Sequence, residues 1–245
     1  MRGLILAVFA TIAAAAPPGA VDAVRRTPEQ VISLTPTAVG LPTQIVLLLT
    51  GLTVLPVLLM AATPFLRITL VLHFLRQAIG TQSSPSNPVL IGLAMFLTMV
   101  IMQPVLQESY EKGWLPFEQG EVSGEAAWKA GSQPVRKFLL RYVREKDVQM
   151  LLEVSHTAPP PKPADLETKI LLPAYVLSEL KTGFQIGAML FLPFLVVDLI
   201  VASVTLSVGI VQLPPAMISA PFKILLFVLV DGWNLVVSSL IKSFY

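Results

Sequence analysis

Cysteine is absent from the 245 residues, and histidine occurs only at His73 and His156. No disulfide, thiolate nucleophile or cysteine-ligated metal can form. Each histidine stands alone in its neighbourhood, so neither reads as part of a ligand set. The phosphate loop GxxxxGK[ST], the metalloprotease HExxH and the nucleophile elbow GxSxG are all missing. These absences point away from an enzyme and imply no cofactor.

Charge is scarce. Charged residues make up 13% of the chain, against about 25% in a soluble domain. None occurs between Glu29 and Arg67 or between Arg76 and Glu108. The net charge is +2, with no arginine-rich stripe interleaved with aromatics, which argues against a nucleic-acid partner. A chain of this length lacks the polar residues to cover a single core. Hydrophobic residues account for 54%, and the mean hydropathy is +0.74. Uncharged runs of about 20 residues are long enough to cross a bilayer as helices.

The first 23 residues pair a basic start at Arg2 with the apolar run Leu4–Ala16 and a small-residue exit through Ala20 and Ala23. That pattern predicts a cleaved secretory signal peptide over 1–23. An extended, proline-bearing lead is expected over 24–43. Four apolar stretches follow, near 44–65, 89–106, 184–208 and 222–240. They predict an all-α, membrane-associated protein of bent, proline-interrupted helical hairpins. The first hairpin covers 44–106, with a loop at 66–88 that carries Arg67 and Arg76. Within it, Leu66, Leu70, Phe74 and Ala78 fall four apart, which predicts one apolar side on a short helix. Residues 107–182 hold 10 of the 17 basic and 11 of the 15 acidic side chains, which predicts a solvent-facing helical region. The second hairpin covers 183–245, with a loop at 209–221. The 66–88 loop carries Arg67 and Arg76 and no acid, and Lys223 sits at the turn between the last two stretches, so the positive-inside bias puts both short loops in the cytoplasm. The charged region and the C-terminal residues are then periplasmic.

Asp198, Lys223 and Asp231 lie in apolar stretches. A lone charge at the bilayer centre costs about 2.5–3.5 kcal/mol on insertion scales. Lys223 and Asp231 are eight residues apart, about 12 Å by helical rise, so they cannot pair in one straight helix. Asp198 or a neighbouring subunit is the better partner for the lysine. Two readings remain open: an ion or proton relay, or buried polar clamps at helix or subunit contacts. Pro56, Pro104 and Pro193 are expected to kink or break their spans. Gly183 and Gly187, four apart, carry a weak signal for close helix contact. The segment GIVQLPPAMISAP, 209–221, reads either as a pore-lining loop or as a tight turn.

Four stretches in order carry a resemblance. They are TPFLRITLVLHFLRQAIGTQ (63–82), NPVLIGLAMFLTMVIMQPV (87–105), REKDVQMLLEVS (144–155) and LPPAMISAPFKILLFVLVDGWNLVVSSLIKSFY (213–245). Together they resemble the FliP family of flagellar biosynthetic proteins over about 45–245. The family includes counterparts in virulence type III secretion; LRQAIGTQ and the signal peptide look flagellar. The resemblance implies a core subunit of the flagellar type III export gate in the bacterial inner membrane, at the flagellar basal body. It implies a pentamer joined by FliQ and FliR, working with other export-apparatus membrane proteins, much of it standing above the membrane plane. Rod, hook and filament proteins would be its substrates. It also implies a methionine-rich constriction just before the LPP motif. Here Ile210, Val211 and Gln212 stand in that place, with Met217 nearby, so the expectation becomes an apolar gasket. A conventional transporter or channel, and a scaffold without a pore, are the competing function classes.

Overall fold

The computed structural model describes residues 41–81, 83–209 and 214–245. The expected signal peptide and almost all of the extended lead therefore lie outside the described residues, as do Ile210, Val211 and Gln212.

Two compact units are distinguished, 1–53 and 54–245. Of the first, only the start of α1 (Leu41–Ala61) is described, a helix whose side chains from Ile45 to Leu49 are exposed. The second unit carries eight further α-helices among its described residues. They are α2 (Phe65–Ile79), α3 (Asn87–Ser109), α4 (Leu115–Glu118), α5 (Gly124–Tyr142), α6 (Glu145–Val154), α7 (Thr168–Ser207), α8 (Pro215–Leu229) and α9 (Gly232–Lys242). A π-helical turn, Tyr110–Trp114, joins α3 to α4 without a break.

The centre of this unit is α2 against α7. Ile68, Val71, Leu72 and Leu75 of α2 are buried to 1% exposure or less. Each such side chain contributes roughly 1.5–3 kcal/mol relative to leaving it in water. The buried face is thus centred beside the four-apart row seen in the sequence: Leu66, Leu70 and Phe74 are only half-buried, and Ala78 alone of that row is buried. Arg67 meets Glu179, Leu70 lies over Gly183 and Phe74 over Gly187. Both residue numbers rise together, so α2 and α7 run parallel. α8 and α9 return beside them: Ala220 and Lys223 approach Gly80, and Ser243 reaches Arg67. α3 packs on α2 and α5, and α6 on α7.

α2 ends at Gly80, whose φ of 84° is left-handed and whose N–H donates to Gln77 O. Glycine takes this conformation without a Cβ clash, which stops the helix cleanly. Arg76 then ties down the following loop by donating to Pro85 O at 3.2 Å and Asn87 Oδ1 at 2.6 Å.

The prolines do not break the helices. Pro104, Pro193 and Pro221 all lie inside helices that continue past them, and α1 runs through position 56. A proline removes one N–H, but the turns on either side keep their own hydrogen bonds. The break falls elsewhere. α8 and α9 meet at 65°, where Asp231 is left-handed at φ 51°, ψ 52°. Two sequence boundaries also move. The division at 182/183 falls within the 40-residue α7, and α8 begins at Pro215 inside the expected loop.

Among the described residues, two helical segments are long and apolar enough to cross a membrane, Asn87–Glu118 and Thr168–Ser207; the bent pair α8–α9 makes a third if it counts as one span. Over the second half of α7 and most of α8, large apolar side chains such as Met189, Leu199, Val204, Leu225 and Val228 are exposed on the chain. A patch of that extent needs lipid or protein to cover it.

Candidate functional site

Ion pairs lie along both halves of α7. In the second half, Asp198 faces α8. Lys223 Nζ is 2.6 Å from Asp198 Oδ2, and Ser219 Oγ donates to the other carboxylate oxygen. Ser219 and Lys223 are one helical turn apart on α8, so both reach the same carboxylate. Lys223 is 5% exposed. Its ammonium also lies 4.0 Å from where a Cβ of Gly80 would be, beside the C-terminal end of α2, where the helix dipole favours a cation. One lysine thus joins three helices. Asp231 does not take part. It is exposed on the chain and accepts from Asn234 Nδ2 at 3.1 Å. The bend turns it outward, so within the single chain it is not among the buried charges.

In the first half of α7, Glu179 is fully buried and receives Nη2 of Arg67, itself 3% exposed. Arg67 Nη1 donates to Ser243 Oγ at 3.1 Å, and the guanidinium carbon lies 4.0 Å from the centre of the Phe244 ring. A planar, always-charged guanidinium presents five donors in a rigid fork, so one side chain reaches Glu179 and Ser243 in fixed directions, where lysine carries a compact point charge.

This contact corrects the sequence-based orientation. Arg67 was assigned to a cytoplasmic loop, whereas Glu179 and Ser243 were assigned to the opposite side of the membrane. Arg67 is not in a loop, and it touches both. Positive-inside counting weighs a charge by its place in the sequence, and Arg67 is folded inward on a helix. Arg76, near the other end of α2, is part-exposed.

The charged region is fixed to the same end of the bundle. Asp147 at the start of α6 is 1% exposed and lies 2.8 Å from Ser178 Oγ, with Lys181 Nζ on its other oxygen. The Arg144 N–H donates to Ser178 Oγ at 2.9 Å. Burial acts to raise the Asp147 carboxyl, but the Lys181 and Ser178 hydrogen bonds and the nearby Lys181 and Arg144 charges outweigh it and hold the carboxyl below its ordinary value. Arg136 clasps the linker before α7 through Ala164 O, Leu166 O and Thr168 Oγ1.

His73 Nδ1 lies 2.8 Å from Thr69 O on its own helix, a local contact. No group of three or more metal-binding side chains occurs among the described residues. An apolar groove of about 400 Å³ runs between α7 and α8, lined by Val197, Ile200, Val201, Val204, Ile218 and Phe222 among others.

The model of the FliP family matches residues 48–240. The chain is 49% identical over 205 residues to the flagellar biosynthetic protein FliP of Pectobacterium carotovorum, covering 84% of this chain and 80% of the relative. It is 43% identical over 247 residues to FliP of Caulobacter vibrioides, covering 99% and 91%. With FliP of Bacillus subtilis it shares 44% over 209 residues, covering 85% and 95%.

The chain belongs to the FliP family. The matched span takes in the Arg67–Glu179 and Asp198–Lys223 pairs and the bend. In this FliP-family chain the expected gasket residues Ile210, Val211 and Gln212 lie between the end of α7 and the start of α8, outside the described residues. Met217, in the first turn of α8, is 70% exposed. Sequence reasoning missed Glu179 and the bend. Glu179 had a signal: it is a single acid in the run KILLPAYVLSEL, four residues from Tyr175 and Gly183. The bend had one as well, since Asp231–Gly232 is a turn-forming dipeptide.

Proposed function

We infer that the chain is a core subunit of the flagellar type III protein export gate. Family membership over most of the chain carries this reading. The described residues agree with it chemically, because Asp198 and Lys223 in the apolar stretches pair with each other and the long apolar faces are left for neighbours. FliQ and FliR are proposed as its partners, with other export-apparatus proteins, in an assembly containing five copies. The exposed faces of α3, α7 and α8 would supply the subunit contacts and the lipid contacts. Unfolded flagellar proteins would be the passengers. The inner membrane is the location, and the charged region with the C-terminal residues is proposed to lie on the periplasmic side. Arg67 would then lie on that side too.

The proposed constriction is a ring of Ile210 and Val211, with Gln212 and Met217 beside it. Several copies of a short apolar segment exclude water by size and apolarity. The Asp198–Lys223–Ser219 cluster is proposed as a clamp that holds α7 and α8 on either side of that segment, rather than as a relay. Its groups bond one another and form no chain of sites.

Native mass spectrometry in mild detergent tests the reading, with the chain expressed alone and then with FliQ and FliR. The expected result is a ring-sized oligomer that gains both partners. A stable, membrane-inserted monomer or dimer under both conditions would overturn the export-gate reading and favour an independent transporter or a scaffold.

A further inference from the structure

The last residues of the chain are docked in a built pocket. Phe244 is 3% exposed although it follows the last helix, α9, and precedes an exposed Tyr245. Its ring stacks on Phe138 at 6.3 Å and 17°, and meets Tyr142 edge-on at 5.3 Å. Arg67 covers it as a cation over the ring. The Tyr142 hydroxyl donates to Phe244 O, and Arg67 Nη1 to Ser243 Oγ. The pocket thus takes one side chain from α2 and two from α5.

Between its ends, α9 is lightly held. Only Gly232, Val236 and Leu240 of this helix are buried. At its start the chain turns through the single left-handed residue Asp231, followed by Gly232, where a Cβ would lie 2.1 Å from Phe227 Cδ2. The helix is therefore joined to α8 by a two-residue corner, Val230 and Asp231, and secured at the far end by Phe244.

We propose that Ser243 and Phe244 form a releasable latch, which opens to let α9 swing about Asp231 while the α2–α7 core stays folded. The chemistry of Arg67 makes release local. When Ser243 and Phe244 leave, the guanidinium keeps Glu179, so no buried charge is stranded. Opening removes a few ring contacts and hydrogen bonds and exposes Val236 and Leu240, whereas unfolding α2 from α7 exposes its whole apolar face. Segments with few buried contacts open well before the global transition.

The absence of native cysteine allows a clean test. Leu240 is 1% exposed and Leu72 is 0% exposed. Single variants Leu240→Cys and Leu72→Cys of the full chain, in mild detergent, are labelled with a maleimide, and the rates are compared. The latch requires Leu240→Cys to label at least roughly tenfold faster than Leu72→Cys, as sub-global opening demands. Adding Phe244→Ala should raise the Leu240→Cys rate about tenfold more and leave the Leu72→Cys rate unchanged. Tyr142→Phe keeps the ring and removes one hydrogen bond; it should raise the Leu240→Cys rate by a smaller factor, and it serves if Phe244→Ala does not fold. Equal rates at both positions, or latch variants that speed both positions alike, would overturn the proposal, because α9 would then open only with the whole bundle.

Discussion

Phe74 lies so close over Gly187 that a Cβ on the glycine would be 2.3 Å from Phe74 Cδ2 and 3.1 Å from its Cβ. The second distance matters most, because a Cβ follows its backbone and cannot rotate away. Gly187→Ala should therefore push α2 off α7 and destabilise the chain by about 1–3 kcal/mol, as overpacking does. Gly183→Ala should cost less, since its nearest neighbour at 2.8 Å is a terminal methyl of Leu70. Thermal unfolding in detergent ranks the two. Pairing Gly187→Ala with Phe74→Leu should recover part of the loss, and equal losses at both glycines would contradict the geometry.

The Arg67–Glu179 pair should be intolerant of losing one partner. Arg67→Leu strands a carboxylate that is fully buried, at a cost of about 3–5 kcal/mol. Arg67→Lys should rescue little of this, since a compact ammonium lacks the rigid fork that spans Glu179 and Ser243 and the planar face that lies over Phe244. Arg67→Leu with Glu179→Gln should be milder than Arg67→Leu alone. Yields and melting temperatures of the three variants would check the order.

Asp198 and Lys223 should show coupling in a double-mutant cycle. The side chain of Asp198 is 34% exposed, so the coupling is expected near the low end for buried pairs, about 1–2 kcal/mol. Asp198→Asn and Lys223→Met are suitable replacements. Simple additivity of their effects on the melting temperature would show that the contact contributes nothing.

Asp147 sets an acid limit on the charged region. Its carboxyl titrates below the ordinary value when folded, and at about 3.9 when unfolded. A folded value below the unfolded one gives stability that is complete above the unfolded value and is lost as pH falls through the folded one. Melting temperature should thus hold steady down to about pH 5 and fall below about pH 4. Asp147→Asn should melt lower near neutrality and show a shallower acid decline. An unchanged pH profile in that variant would assign the decline to other groups.

Ile210→Ala combined with Val211→Ala should widen the proposed constriction. Leakage of small solutes should rise while the assembly mass stays unchanged. Unchanged leakage with normal assembly would remove the gasket from the mechanism.

Much of the helical content was legible, because long uncharged runs over 44–65, 89–106 and 184–208 leave little else to form. The Asp198–Lys223 pairing was also within reach, since eight residues of spacing forbids Lys223 from meeting Asp231 and leaves few acids in apolar surroundings. The Arg67–Glu179 pair was not, for it joins residues 112 apart that hydropathy and charge counting had put on opposite sides of a membrane. Those methods treat each apolar run as one unit that crosses and stops. α7 instead continues from the charged region into the apolar one without a boundary. The prolines sit inside helices that continue past them, because a missing N–H weakens one turn, whereas the left-handed backbone at Asp231 ends the helix.

The length of α7 has a mechanical consequence. Glu179 and Asp198 lie on the same uninterrupted helix, about 28 Å apart by rise. A stiff rod of that span acts as a lever. A tilt of about 5° pivoting at Glu179 would carry Asp198, and with it the attached start of α8, roughly 2.5 Å sideways. A small displacement beside the charged region would thus arrive magnified at the residues flanking 210–213.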